Sequence, residues 1–207
     1  EMLPGSDHGG LKDNAYTNIM VSWLMARAFR IRDQIPGKER DRILSSLSIS
    51  AGDLERWDDI MHGLSLHFSE TGVVEQFLGY FSLKELDWEH YREKYEDIHR
   101  LDRILKAEGK SPDEYKLSKQ ADFLMSFYNL GFEEVTDIIH NLGYQVPEDY
   151  ARINFEYYIN RTSHGSTLSR LVHARLAWQM GMKEKGWGLY LDALRSDLGD
   201  IQGGTSA

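Results

Sequence analysis

Two segments of this chain, SKQADFLMSFYNL (118–130) and TLSRLVHARLAWQM (167–180), carry apolar side chains on nearly every side of a helix. Such a helix has no face to give to water, so both are expected to be buried all round by other helices. The stretches beside them, 132–142 and 182–198, keep a polar face and read as an outer layer. Buried and half-exposed antiparallel helices joined by short turns describe a stacked helical-hairpin architecture, either a solenoid or a closed double ring. No fixed-period repeat is visible, which disfavours a simple solenoid.

The rest of the chain extends the pattern. Ile19, Trp23, Leu24, Ala26, Ala28 and Ile31 recur at three- and four-residue spacing between Asp13–Asn14, which suit an N-cap, and Pro36, which suits a stop. This predicts a helix over 14–34, followed by helices over 38–47 and 51–64. Between Leu66 and Phe81, HFSETGVVEQFLGYF sets β-branched and aromatic residues around a Thr-Gly turn, so a short β-hairpin insertion is expected there. Helical periodicity returns in DWEHYREKY and IHRLDRILKAEG, and then over 117–130, 132–142, 147–160, 166–180 and 182–198. No Pro/Gly/Ser-rich linker divides the 207 residues, so 1–207 reads as a single all-α unit.

Composition narrows the partners. With 24 basic against 33 acidic residues the formal charge is −9, which repels nucleic acid and anionic lipid surfaces. No apolar run approaches the roughly 18 residues of a membrane span, and EMLPGSDHGG lacks the charge and apolar centre of a signal peptide. The chain has no cysteine, which fits a reducing compartment; a cytoplasmic protein is the expectation. The histidines form no close metal-ligand spacing, so no metal site is expected. Most of the five tryptophans are read as core, and LDWEHYREKYEDIHRLDR as a solvated, ion-paired helix surface.

Two polar clusters stand out against this background. Gly165, Ser166 and Thr167 open one of the buried helices, where free backbone amides and the helix dipole favour an anion such as phosphate. Hydroxyls of Ser163, Ser166, Thr167 and Ser169 can add donors, and His164 or Arg161 a charge-assisted one. The plainer alternative makes Ser163 or Ser166 an ordinary N-cap and His164 a turn residue. Lys119 and Gln120 enter the other buried helix, where a lysine and an amide suit vicinal sugar hydroxyls. The plainer reading there is a helix-surface pair between Lys119 and Asp122.

The combination of KDNAYTN (12–18), VVEQFLGY (73–80), LSKQADFLM (117–125), RTSHGSTLSRLVHA (161–174) and SDLGDIQGGTSA (196–207) resembles the catalytic domain of glycoside hydrolase family 65. That family holds maltose, trehalose, kojibiose and nigerose phosphorylases and related trehalose hydrolases. The resemblance implies an (α/α)6 barrel of six inner and six outer helices, with the sugar site at one mouth. It also implies inverting phosphorolysis to β-glucose 1-phosphate, with inorganic phosphate as co-substrate and no other cofactor. Phosphate attacks the anomeric carbon while a glutamic acid protonates the leaving oxygen, so an anion site replaces the second carboxylate of an inverting hydrolase. By motif, His164, Gly165, Ser166 and Thr167 would contact phosphate, and Lys119 and Gln120 would hold the glucose.

This sequence departs from the family's pattern in three places. The Gly-Pro-Asp-Glu motif that carries the general acid is absent, which places the acid N-terminal to Glu1 and leaves no catalytic acid within the chain. The chain also stops inside the C-terminal glycine-rich block, so it is expected to be the C-terminal half of the helical ring, a fragment of a longer protein. Asp13–Asn14 replaces the paired asparagines common before AYTN. Alone, such a chain is expected to be inactive, and to dimerise or exchange helices through exposed inner faces. A family hydrolase remains open, needing an Asp or Glu near the anion site, for which Glu156 is nearest in sequence. A non-catalytic helical scaffold is the third class.

Overall fold

The computed structural model describes residues 10–95, 97–119 and 121–198, with side chains to Arg195. Among these residues the chain is helical: α1 (Ala15–Gln34), α2 (Gly37–Ser46), α3 (Ala51–Gly63), α4 (Trp88–Lys94), α5 (Leu101–Ala107), α6 (Asp122–Leu130), α7 (Phe132–Asn141), α8 (Tyr150–Ile159), α9 (Thr167–Gln179) and α10 (Lys183–Leu198). Short 3-10 turns sit at Tyr80–Ser82 and Pro112–Glu114. Asn14 caps α1 by accepting from the Thr17 amide at 2.9 Å. Asp13 takes a left-handed conformation (φ 51°) and faces His67 Nε2 across 3.1 Å.

One apolar core joins α1, α6, α7, α8 and α9 through Ile19, Phe123, Phe127, Ile139, Phe155 and Leu176, each fully buried. A second, smaller cluster of Leu86, Tyr91, Leu101 and Leu105 holds α4 and α5. As expected, α7 buries only one stripe, Val135, Ile138 and Ile139. The α9–α10 hairpin is the tightest pairing, and Gly186 permits it. A Cβ there would lie 3.0 Å from the Ala174 carbonyl oxygen and 3.2 Å from the Trp178 amide nitrogen. Gly186→Val is therefore expected to destabilise the fold by about 1–3 kcal/mol, read as a lower denaturation midpoint.

Four expectations need correction. The β-hairpin shrinks to one antiparallel bridge, Phe68 with Val74, around a turn closed by Gly72 N–H to Ser69 C=O. Only Ser69 N–H to Val73 C=O and Glu75 N–H to His67 C=O flank it, because the flanking backbone turns away to meet other loops. The sixth helix starts at Asp122, since Ser118 instead bridges Thr162 in parallel. α9 is not buried all round. Helices α6, α8 and α10 pack against it, yet Leu168, Leu171 and Trp178 stay exposed, as do Trp187, Tyr190 and Leu194 on α10. Consequently the tryptophans are not mostly core: Trp23 and Trp88 pack on the two clusters, whereas Trp178 and Trp187 are more than half exposed.

Among the described residues no helix is long and apolar enough to cross a membrane. No group of His, Asp or Glu among them is arranged to hold a metal ion.

Candidate active site

Four loops meet at one end of the helices. Ala15 N–H donates to Gln76 C=O and Leu78 N–H to Lys12 C=O, tying the start of α1 to the 73–78 loop. Gln76 continues the link with its side chain, donating from Nε2 to Ser118 Oγ (2.7 Å) and accepting from the Asp122 amide (2.9 Å). That second bond does the work of an N-cap for α6, whose own preceding residue, Ala121, has no side chain able to do so. Ser118 in turn donates its N–H to Arg161 C=O and accepts from Ser163 N–H, which seats the 161–166 loop beside it.

Helix α8 clamps this assembly from below. Asn154, fully buried, accepts from the Val74 amide (2.8 Å) and donates to the Gly72 and Tyr150 carbonyls (2.9 and 2.8 Å). Tyr158 donates its hydroxyl to the Val74 carbonyl. Glu75, also buried, accepts from the Gly79 and Phe81 amides, so this carboxylate is a structural turn-binder.

The loops enclose a cavity of about 700 Å³. Lys119, Ser163 and Ser166 line it together with Gln76, Asp102 and Asp122. The cavity thus brings members of both predicted clusters together. Ser166 precedes α9 in extended conformation and its side chain makes no capping bond, so it is not the plain N-cap of the alternative reading. Thr167 is the first residue of α9. Gly165 is buried behind the wall: a Cβ on it would meet the His99 carbonyl oxygen at 2.6 Å and Lys119 Cγ at 3.3 Å. Lys119 is exposed at the rim, so its ammonium carries no burial cost. Gln120 lies outside the described residues, as does Glu1, near which the general acid was expected.

His164 sits in the left-handed region (φ 52°), an uncommon state for a residue with a side chain. Its ring faces inward, edge-on to His173 at 4.7 Å between centroids, with Nδ1 3.1 Å from Ser169 Oγ. Burial, with His173, Arg170 and His99 nearby, pushes its pKa down to about 3, so in this structure the ring is neutral near pH 7. Burial likewise lowers His173 to about 4. Arg161 is engaged elsewhere, forking onto Glu85 at 3.1 and 3.0 Å.

The two depressed histidines make stability pH-dependent. Unfolded, each binds a proton near pH 6.5; folded, only near pH 3–4. The unfolded state therefore binds more protons in between, and stability falls as pH drops below about 6.5. We expect a loss of up to about 2 kcal/mol per histidine at pH 5, and a flatter profile for His173→Leu, by urea denaturation from pH 7.5 to 5.

Three residues of the site escaped the sequence. Gln76 lay inside a quoted block without a role. Asp102 belonged to the charged run read as solvated surface, yet it faces the cavity and is held ionised by a bidentate Arg100 (3.1 Å each). Arg170 had no signal, since an arginine on an apolar helix usually reaches water. Glu156, the carboxylate considered for a hydrolase, is exposed and paired with Arg152.

Comparison with known proteins adds independent findings. Residues 2–207 match the model of the glycosyl hydrolase family 65 central catalytic domain. The chain is 43% identical over 207 residues to the trehalose 6-phosphate phosphorylase of Lactococcus lactis, covering all of this chain and 25% of that protein. It is 40% identical over 205 residues to an uncharacterized glycosyl hydrolase of Mycobacterium tuberculosis, covering 98% of this chain and 15% of that protein. A solved structure described as "Putative kojibiose phosphorylase from human microbiome" superposes with a TM-score of 0.69 at 22% identity. That superposition covers 98% of this chain and 26% of the other and supports the fold. The chain thus spans about a quarter or less of these relatives' lengths.

Proposed function

The chain belongs to glycosyl hydrolase family 65, within its central catalytic domain, and from that premise we propose that it carries the phosphate and glucose subsites of an inverting α-glucoside phosphorylase. The observation that carries this reading is the shared cavity: Ser163 and Ser166, at the N-terminus of α9, and Lys119 line one space of about 700 Å³. Phosphate seats at the start of α9, held by backbone amides of the 164–167 segment and by the Ser163, Ser166 and Thr167 hydroxyls. His164, being neutral, shapes the loop and contributes its backbone; Gly165 lets the loop pack. Lys119 and Gln120 hold the hydroxyls of the glucose whose bond breaks.

A phosphate oxygen attacks the anomeric carbon as the glucosidic oxygen leaves. The proton for that oxygen comes from an acid that we place N-terminal to Glu1, in the remainder of a longer protein. The products are β-glucose 1-phosphate and the released sugar. The 43% identity makes trehalose 6-phosphate the first substrate to test, with the unphosphorylated glucobioses beside it. We read residues 1–207 as one unit, the second half of the helical ring, inactive alone. Its open faces on α9 and α10 would be covered by the rest of the ring or by a second copy in a homodimer, and a cytoplasmic location fits the cysteine-free composition.

A hydrolase of the same family is favoured by one observation, the ionised Asp102 and the neighbouring Asp122 in the cavity wall. Assay of the whole protein separates these readings. Glucose 1-phosphate formation that depends on added phosphate supports phosphorolysis; free glucose released without phosphate identifies a hydrolase. Cleavage of no α-glucoside leaves a helical scaffold.

A further inference from the structure

Arg170 is an unusual residue to find where it is. It sits in the first turns of α9 and is only 2% exposed. Among the described residues no carboxylate lies within ion-pairing distance; Asp97 and Asp192 act on it only through space. Among the described residues its Nη1 has no hydrogen-bond partner, and its Nη2 lies 3.0 Å from His99 Nδ1. A guanidinium can only donate, so His99 Nδ1 accepts and the histidine proton sits on Nε2, 4.0 Å from Asp97. With its Nδ1 accepting from Arg170, His99 does not bond the Ser163 carbonyl, which only lies beside that nitrogen at 3.2 Å; the His99 carbonyl packs onto Gly165. Arg170 is therefore anchored directly behind the loop that forms the cavity wall.

The charges around it do not cancel its own. His164 and His173, the other basic groups packed there, are neutral near pH 7, and His173 Nε2 is a second buried nitrogen without a partner. A buried, unpaired cation is costly, by several kcal/mol in general, unless an anion compensates it. Through His99, Arg170 backs the Ser163 wall of the cavity at the α9 N-terminus, whose dipole has the same sign.

We propose that Arg170 is the buried countercharge of the anion site, a positioning residue that sets phosphate affinity through the field behind the Ser163–Gly165 wall without touching the phosphate. The inference rests on the phosphorolysis reading and deepens it. It also assigns His99 a part, as the acceptor that holds the guanidinium in place.

The test uses the whole protein and two variants, Arg170→Met, which removes the charge, and Arg170→Lys, which keeps it. Loss of the charge is expected to raise KM for phosphate at least about tenfold, with KM for the disaccharide within about threefold of wild type. Arg170→Lys is expected to keep phosphate KM within about threefold. In thermal denaturation at a fixed concentration, inorganic phosphate should raise the midpoint of wild type and of Arg170→Lys alike, and that of Arg170→Met clearly less. Equal rises in both KM values, an unchanged phosphate KM in Arg170→Met, or a lysine variant as impaired as the methionine one overturns the proposal. Should Arg170→Met fail to fold, the lysine variant and its phosphate stabilisation decide alone. Failure of the function itself shows separately, as wild-type cleavage that ignores phosphate; the anion proposal is then judged by the thermal midpoints.

Discussion

Gly165→Ala is expected to reduce kcat/KM for phosphate by about 100-fold in the whole protein while leaving it folded. The added methyl would stand 2.6 Å from the His99 carbonyl oxygen and 3.3 Å from Lys119 Cγ. The first contact is with backbone, which cannot rotate aside as a side chain can. The 163–166 loop must then move away from the 97–100 turn or push Lys119 outward. Either displacement is of the order of an ångström, and both disturb the same cavity, since Ser163, Ser166 and Lys119 all line it. Steady-state kinetics against phosphate check the effect. A variant with unaltered kinetics would show that the loop's position is irrelevant to catalysis.

The second large effect belongs to Asn154. Replacing it with leucine, similar in volume, removes one acceptor and two donated bonds, leaving the Val74 amide and the Gly72 carbonyl buried without it. The Tyr150 carbonyl loses its side-chain donor as well. Unsatisfied buried backbone groups cost about 1–3 kcal/mol each, and neighbours share relaxation, so a total of about 2–4 kcal/mol is expected by urea denaturation. The 72–76 loop should also loosen, and with it the Gln76 cap on α6. Loss of activity beyond the loss of stability would show that coupling.

How far the sequence carried the account depends on the range of the forces involved. Helix ends were legible because their causes are local. Asn14 caps as its side chain predicts, and the 14–34, 51–64 and 182–198 segments end within a residue or so of α1, α3 and α10. The start of α6 was not legible, because its cap is a glutamine 46 residues away and Ser118 pairs with the 161–163 loop. The hairpin shrank because the next ladder pair is engaged elsewhere: the Ser65 carbonyl accepts from the Asn18 side chain, 47 residues away, and the Phe77 carbonyl from the Tyr80 amide.

The candidate site divides the same way. Motif and helix-end physics brought Ser163, Ser166 and Lys119 to one cavity. Neither could say that His164 turns inward and loses its charge, since that follows from burial against His173. Nor could periodicity reveal Arg170, whose cost arises from the absence of a partner in three dimensions. The exposed Trp178 and Trp187 carry a related lesson, because apolar patterning predicts a wish to be covered without naming the cover.

Whether α9 offers its N-terminus to the phosphate that cleaves a glucosidic bond held by Lys119 can be seen in a crystal structure of the whole protein with phosphate and glucose. Phosphate oxygens are expected within hydrogen-bond distance of the Ser166 and Thr167 amides, with glucose hydroxyls on Lys119 in the same cavity. Phosphate bound elsewhere, with the start of α9 closed against it at saturating concentration, would contradict that expectation.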